Sequence, residues 1–225
     1  MSIATSPIRF ATPYKPGGTM VISANSLSSR IIDSDSDKWG RWSNQTFQGK
    51  GNIRVTIYSV YQVVDSRSAS QGQNTVASQQ QALMTEANDP ATDPRQAFCR
   101  DLRFSIQTLQ SKGHDIILVG DFNEALGTEP GGITEVAAEC NLVDIMSAMH
   151  PDLQQPVTYM HGRKRLDYLL TSPRVSEAAR LCGYEEFQHR IYSDHRAYFV
   201  GFDTQALRYT NAGTGTIRCT RTPLQ

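Results

Sequence analysis

Asp121 and Asn123 stand two residues apart at the end of the apolar run Ile116-Ile-Leu-Val-Gly-Asp121-Phe-Asn123-Glu124. Alternation along a strand puts both polar side chains on one face and turns Phe122 back toward a core. A carboxylate beside an amide can bind a hard cation or orient a water molecule. The same pair can equally bond backbone amides in a turn. Asp167 interrupts the apolar segment Leu166-Asp167-Tyr-Leu-Leu170 behind Arg165. A buried charge without a partner is costly, so Asp167 must face a cation, a histidine or a metal. Asp194 and His195 precede a third apolar run, Ala197 to Phe202. A histidine at a strand mouth beside acids can contact a phosphate or act as general acid or base. Alone, His195 reads as well as a packed or surface residue; the three segments together point to acid–base or metal-assisted chemistry.

These groups need elements to carry them. Ile116 to Val119 lies between Lys112-Gly113 and Gly120-Asp121 and reads as a buried strand. In α/β folds the carboxyl edge of such a strand is where ligands bind. The helix before it has Asp93 as N-cap, Pro94 at its first position and an apolar stripe of Phe98, Leu102, Ile106 and Leu109. Arg41 to Phe47, a Gly49-Lys-Gly-Asn52 turn and Ile53 to Tyr61 read as a hairpin. Ile53, Val55 and Ile57 alternate there with Arg54, Thr56 and Tyr58, as in a half-buried strand. Thr19 to Ser23 reads as a short strand after Gly17-Gly18, and Ile31-Ile32 as another. Asp33 to Lys38 reads as a polar loop without the Gly and Glu of a calcium loop. Residues 65–80 read as a loop entering a helix with a weak apolar face of Val76, Leu83, Met84 and Ala87. Ile133 to Cys140 is a short helix, and Leu166–Leu170 and Ala197–Phe202 are strands. The expected organisation is an irregular lead-in over 1–16, one domain over 17–203 and a flexible tail over 204–225.

The 225 residues carry 22 basic and 22 acidic side chains, a net charge of zero. That balance argues against a protein that coats nucleic acid by bulk charge. The distribution is uneven: residues 113–203 hold 7 basic and 14 acidic groups, and the tail holds Arg208, Arg218 and Arg221 with no acid. Such an acid-rich stretch is where an enzyme acting on phosphates through a metal would keep its carboxylates. No apolar run spans a membrane and the first residues lack a secretory pattern, so the expected place is intracellular, nucleus or cytoplasm. Cys99, Cys140, Cys182 and Cys219 have no zinc spacing and read as free thiols. Trp39 and Trp42 read as strand-edge packing, and Cys182 as core filler near a strand start. His114, His150, His161 and His189 read as surface residues. Arg163-Lys164-Arg165 reads as a hairpin turn or a contact to a nucleic-acid backbone.

The order Gly-Asp121-Phe-Asn123, then Arg165-Leu-Asp167-Tyr, then Ser193-Asp194-His195 resembles the endonuclease/exonuclease/phosphatase superfamily, over about Gly17 to Phe202. Gly17-Gly18-Thr19, Ile57-Tyr-Ser-Val-Tyr61 and Thr158-Tyr159 resemble further segments of that family. The resemblance implies an α/β four-layer sandwich of two mainly antiparallel or mixed sheets flanked by helices, and metal-dependent phosphodiester hydrolysis. It implies that Asp121 holds or deprotonates the attacking water and that Asn123 positions that water and the phosphate. His195 would bind the phosphoryl oxygen, Asp167 would keep His195 protonated, and Tyr61 would donate to the phosphate. Asp194, with Asp121, would belong to the metal site, for Mg²⁺ or Mn²⁺. DNA is the implied partner, with no membrane and no small-molecule cofactor. Gln79-Gln80-Gln81, Asp93-Pro94-Arg95 and Gly183-Tyr184 are similar to endonuclease domains of non-LTR retroelements, in which a reverse transcriptase follows downstream; the tail arginines fit the start of such a linker.

Before Gly17 the sequence offers no Asn after an apolar strand and no Gln-Glu pair. The resemblance therefore implies a sandwich incomplete at its amino end, lacking the family's amino-terminal metal-binding Asn and Glu. Two further readings follow: a catalytically dead remnant or binding module, and a phosphatase for phosphoinositides or other small phosphoesters.

Overall fold

The computed structural model describes residues 1–5, 17–65, 75–89, 93–189 and 191–206. Most of the lead-in, the start of the Ser/Gln-rich segment after Asp65, Cys219 and the tail arginines lie outside the described residues.

The strands are β1 (Ser2–Ala4), β2 (Thr19–Val21), β3 (Ile31–Ser36), β4 (Trp42–Gln48), β5 (Arg54–Tyr61), β6 (His114–Asp121), β7 (Val143–Asp144), β8 (Asp167–Thr171), β9 (Ala179–Tyr184) and β10 (Tyr198–Phe202). The helices are α1 (Val76–Glu86), α2 (Pro94–Ser111), α3 (Ile133–Glu139), α4 (Ile145–Met149) and α5 (Pro173–Glu177), with a 3₁₀ turn over Asn25–Arg30. Six strands form one mixed sheet in the order β3-β4-β5-β6-β8-β7, in which β5 and β6 run parallel and the other neighbours antiparallel. Two antiparallel ribbons, β1-β2 and β9-β10, complete the strand inventory. The result is the expected mixed α/β sandwich.

The sheet buries both faces. On one, Trp42, Tyr58, Val60, Ile116, Leu118 and Leu170 pack with Phe98, Leu102 and Ile106 of α2 and with Ile133 and Val136 of α3. The apolar stripe of α2 thus does what its spacing predicts, with Asp93 accepting from the Arg95 N–H as N-cap. On the other face, Val55, Ile57, Ile117 and Leu169 pack with Ile145, Ala179, Cys182 and Val200. The sequence reading of β5 as half-buried is therefore corrected: Thr56, Tyr58 and Val60 are buried, the last two in the cluster with α2, while Val55 and Ile57 serve the opposite cluster.

Four further readings change. Ser2–Ala4, inside the expected irregular lead-in, is a strand because it pairs with β2 in the register Ser2↔Val21 and Ala4↔Thr19. Asp33 to Ser36 forms the last four residues of β3 rather than a loop, lying at the end of the sheet with one strand neighbour. Exposed Asp and Ser suit such an edge, because charge discourages a further strand from pairing there. His114 is buried, its Nδ1 lying 3.0 Å from Thr56 Oγ1, which in turn lies 2.9 Å from Thr46 Oγ1. Cys182 lies in the middle of β9, and Cys99, Cys140 and Cys182 are free and buried. Trp39 and Trp42 are both buried. Among the described residues no helix is long and apolar enough to cross a membrane.

Candidate active site

β6 runs through the middle of the sheet and delivers Asp121 at its carboxyl end. The register aligns three side chains across neighbouring strands: Tyr61 of β5, Asp121 of β6 and Asp167 of β8. Beyond Asp121 the chain turns. Phe122 is fully buried, and Asn123 takes a left-handed φ of 46°, a conformation that asparagine tolerates better than most residues. That turn lets Asn123 N donate to Asp121 Oδ1 at 2.9 Å and Asn123 Nδ2 donate to Asp121 Oδ2 at 3.0 Å. Asn123 Nδ2 also donates to Gln62 O at 2.8 Å, linking the turn to the chain that leaves β5.

Asp167 opens β8, and Thr158 Oγ1 accepts from the Leu166 and Asp167 N–H groups. His195 reaches it from the other side: His195 Nδ1 lies 3.0 and 3.2 Å from the two Asp167 carboxylate oxygens. His195 pairs in the backbone with Tyr159, whose ring lies 5.0 Å from the imidazole, centroid to centroid. With Nδ1 turned to Asp167, Nε2 faces Asp121 Oδ2 at 3.9 Å. The hydrogen bond to Asp167 is the main reason that the imidazole pKa lies above its usual value; burial opposes it, and Asp121 and Asp194 add to the rise. Burial chiefly, and Asp167 next, push the Asp121 carboxyl up to about 6, against the Asn123 N–H bond and the nearby imidazole.

One cavity of ≈ 570 Å³ is bordered by Tyr61, Asp121, Asn123, Lys164, Asp194 and His195, among others. The six sequence-predicted positions are thus brought together, with Asp167 beneath His195. Among the described residues, the ligand-type atoms of Asp121, Asp167 and His195 lie within 4.8 Å of one another. Asp194 borders the cavity but is outside that group.

The sequence missed the groups that brace this arrangement. Arg165, expected in a hairpin turn or against a nucleic-acid backbone, is buried. Its guanidinium donates to both Asp144 oxygens at 2.6 and 2.7 Å, to Gln155 at 2.6 Å and to the Tyr184 hydroxyl at 2.8 Å. The Tyr184 hydroxyl in turn donates to Asp167 O at 2.6 Å. Nothing in one chain marks a basic run as buried; the only hint was that Arg165 sits next to a strand. Because Asp144 is itself largely buried, Arg165→Met should leave an uncompensated charge and lower stability by about 3–5 kcal/mol. Urea unfolding checks this; a change within about 1 kcal/mol would show that the pair contributes little.

A sequence model of the endonuclease/exonuclease/phosphatase family matches residues 3–195. No curated protein matches the chain. Among solved structures, the 3′ phosphatase NExo from Neisseria, bound to a product DNA hairpin, superposes with a TM-score of 0.52 at 16% identity, covering 77% of this chain and 71% of that one. The AP endonuclease LMAP from Leishmania major gives 0.51 at 17% identity, covering 73% of this chain and 55% of that one. An AP endonuclease from Archaeoglobus fulgidus gives 0.50 at 15% identity, covering 77% and 71%. The chain therefore spans little more than half of the Leishmania protein, and at these identities the likeness is one of fold. Since the family match runs from β1 to His195, the chain belongs to the endonuclease/exonuclease/phosphatase family.

Proposed function

We propose that this chain hydrolyses phosphodiester bonds in DNA with a divalent cation. The observation that carries the reading is the convergence of Asp121 with a His195–Asp167 pair in one open cavity. The Neisseria and Archaeoglobus structures of the same fold are a 3′ phosphatase holding DNA and an AP endonuclease, which supports DNA as the substrate.

Without the cation, burial and Asp167 push the Asp121 carboxyl up to about 6, so it is ionised at neutral pH and can hold or deprotonate the attacking water. Both amide protons of Asn123 are committed, to Asp121 and to Gln62 O. Asn123 therefore orients the carboxylate and offers a water only its Oδ1. Asp167 favours the protonated imidazole, so His195 Nε2 presents a proton to a phosphoryl oxygen whose charge grows during attack. Tyr61, on the same rim, adds a phenol to that oxygen's surroundings.

The donor set suits a hard cation. Asp121 and Asp167 face each other across β6 and β8, a like-charge pair that a cation would relieve. The family resemblance assigns the ion to Asp121 and Asp194, both of which border the cavity, and Mg²⁺ is commonly held by one or two carboxylates with waters. Bound there, Mg²⁺ or Mn²⁺ supplies Lewis-acid neutralisation of the phosphoryl charge.

The narrower retroelement reading rests on three short segments, and each has a packing role: Gln79 and Gln80 are buried in α1, Asp93 caps α2, and Tyr184 braces Asp167. Supercoiled plasmid incubated with the purified chain in Mg²⁺ or Mn²⁺ should be nicked, and EDTA should stop it. Folded protein that neither nicks nor melts higher with either metal would leave the dead-remnant reading. Faster release of phosphate from a phosphoinositide than cleavage of DNA would favour the small-phosphoester reading.

A further inference from the structure

Behind the catalytic cavity, the first turn of α2 points a cation at the two chain segments that carry Tyr61 and Asp121. Arg95 is only 5% exposed. Its Nη1 donates to Val63 O at 2.5 Å, just beyond β5, and its Nη2 donates to Asn123 O at 3.3 Å, just beyond β6. Nε and Nη2 also meet Glu129 at 2.9 to 3.1 Å. With the Gln62 amide turned so that its nitrogen donates to Phe122 O, its oxygen accepts from Arg95 Nη2 at 3.2 Å. Glu124, 2% exposed, lies 3.5 Å from the same nitrogen and accepts from Ile133 N at 3.1 and 3.2 Å.

We infer that Arg95 is a positioning residue: it clamps the Asn123 turn to the segment after β5, and so fixes the Asp121 carboxylate without touching the substrate. Asn123 is gripped at both ends, its side-chain amide by Gln62 O and Asp121 and its carbonyl by Arg95. Among the described residues Asn123 has no strand partner, so beyond the Phe122 N–H bond to Leu166 O these bonds hold its left-handed turn. Arg95 is not among the residues bordering the cavity with Asp121. A lysine keeps the charge but offers a point donor in place of a planar fork, so it cannot span Val63 O, Asn123 O and Glu129 together. The inference rests on the phosphodiesterase reading for its catalytic consequence.

The test compares Arg95→Lys and Glu129→Gln with the wild-type chain, with Asp121→Ala as the control. Backbone amide exchange is followed by NMR, and hydrolysis of plasmid DNA and of bis(p-nitrophenyl) phosphate is measured in Mn²⁺. In Arg95→Lys the Gln62 and Asn123 amides should exchange at least about tenfold faster while Leu118, in the middle of β6, changes less than about twofold. Turnover should fall about 10- to 100-fold with KM within about threefold, the pattern of a misplaced catalytic group. Glu129→Gln, which loosens Arg95 from a partly exposed side, should shift both in the same direction by less. It carries the test if Arg95→Lys does not fold. Uniform acceleration at all three amides, or no local acceleration, would overturn the clamp and leave Arg95 a stability residue. An Asp121→Ala protein that hydrolyses as fast as wild type would overturn the phosphodiesterase reading, whatever the exchange result says of Arg95.

Discussion

Replacing Asp121 with Asn is expected to lower metal-dependent hydrolysis on the order of 10³-fold and, in the metal-free protein at pH 7.5, to raise stability. The two effects have one cause. The carboxylate is held in a largely buried place beside Asp167, which pushes its pKa up to about 6 from the ordinary 3.8. An acid whose pKa is raised by folding binds its proton more tightly in the native chain than in the unfolded one. Its contribution to stability therefore falls as pH rises from about 4 to about 6, and stays lost above that. Two pH units correspond to about 3 kcal/mol as a ceiling. Asn recovers part of this, because its oxygen can still accept from the Asn123 N–H but its NH₂ then meets the Asn123 side-chain amide, now donor against donor. A net gain of about 1 kcal/mol, or roughly 2–4 °C for a chain of this size, is expected above pH 6 and none below pH 4. His195, whose raised pKa also means a proton held more tightly in the fold, lowers stability in the same direction as pH climbs past its ordinary value, in both proteins. Calorimetry of wild type and Asp121→Asn between pH 4 and pH 8 in EDTA isolates the difference. A variant less stable than wild type at pH 7.5 would mean that the Asn123 bonds outweigh the burial of charge. Adding Mn²⁺ should reverse the order, because an ion bound to the native carboxylate stabilises only wild type.

The same geometry shows what one chain makes legible. Asp121, Asn123, Asp167 and His195 could be singled out because each interrupts or adjoins an apolar run; singly each has an ordinary structural explanation, and it is the three segments together that point to a site. Their meeting could not be read from spacing: Asp167 and His195 are 28 residues apart and touch because the segment before β10 bridges in the backbone to Tyr159. Long elements with a clear period, α2 above all, were legible to within a residue or two. β7, α4, α5 and β9 were not, since elements of two to six residues form by tertiary pairing rather than local preference. The buried charges were the deepest blind spot. Arg95, Arg165, Glu124 and Asp144 look like ordinary surface residues in the sequence, and only their partners, 21 residues away for Arg165–Asp144 and 34 for Arg95–Glu129, make them interior. Arg95 bonds the carbonyls just beyond β5 and β6, and Arg165 bonds the tyrosine that donates to Asp167 O, so a reading that stops at the motif misses what keeps the motif in shape.

Gly120→Ala is expected to damage the protein more than any other single-methyl change near the site. Gly120 lies opposite Val60 on β5 and Tyr168 on β8, immediately before Asp121. A Cβ there would stand 2.0 Å from Val60 O and 2.8 Å from Val60 C, with the backbone at a φ of +155°. The obstacle is a backbone carbonyl in the sheet, so no side-chain rotation relieves it; β5 and β6 must part. Overpacking of about 1–3 kcal/mol adds to a backbone cost of similar size, giving about 3–5 kcal/mol of destabilisation. Parting the strands at this point also separates Tyr61 from Asp121, which the register holds side by side, and a shift of about 1 Å can cost about 10²-fold in rate. Gly127→Ala is the matched control. Gly127 also has a positive φ, +81°, but a Cβ there meets nothing within 4 Å, so only the conformational cost of about 1 kcal/mol applies. Thermal unfolding should thus place Gly120→Ala roughly 10 °C below Gly127→Ala, with turnover falling only in the former. Equal melting temperatures would mean that the strands part without cost, and that the close approach of β5 to β6 does not hold the site. Trimming Val60 to Ala in the Gly120→Ala background should not restore either property, because the atom in the way is the Val60 carbonyl oxygen and trimming the side chain leaves it in place.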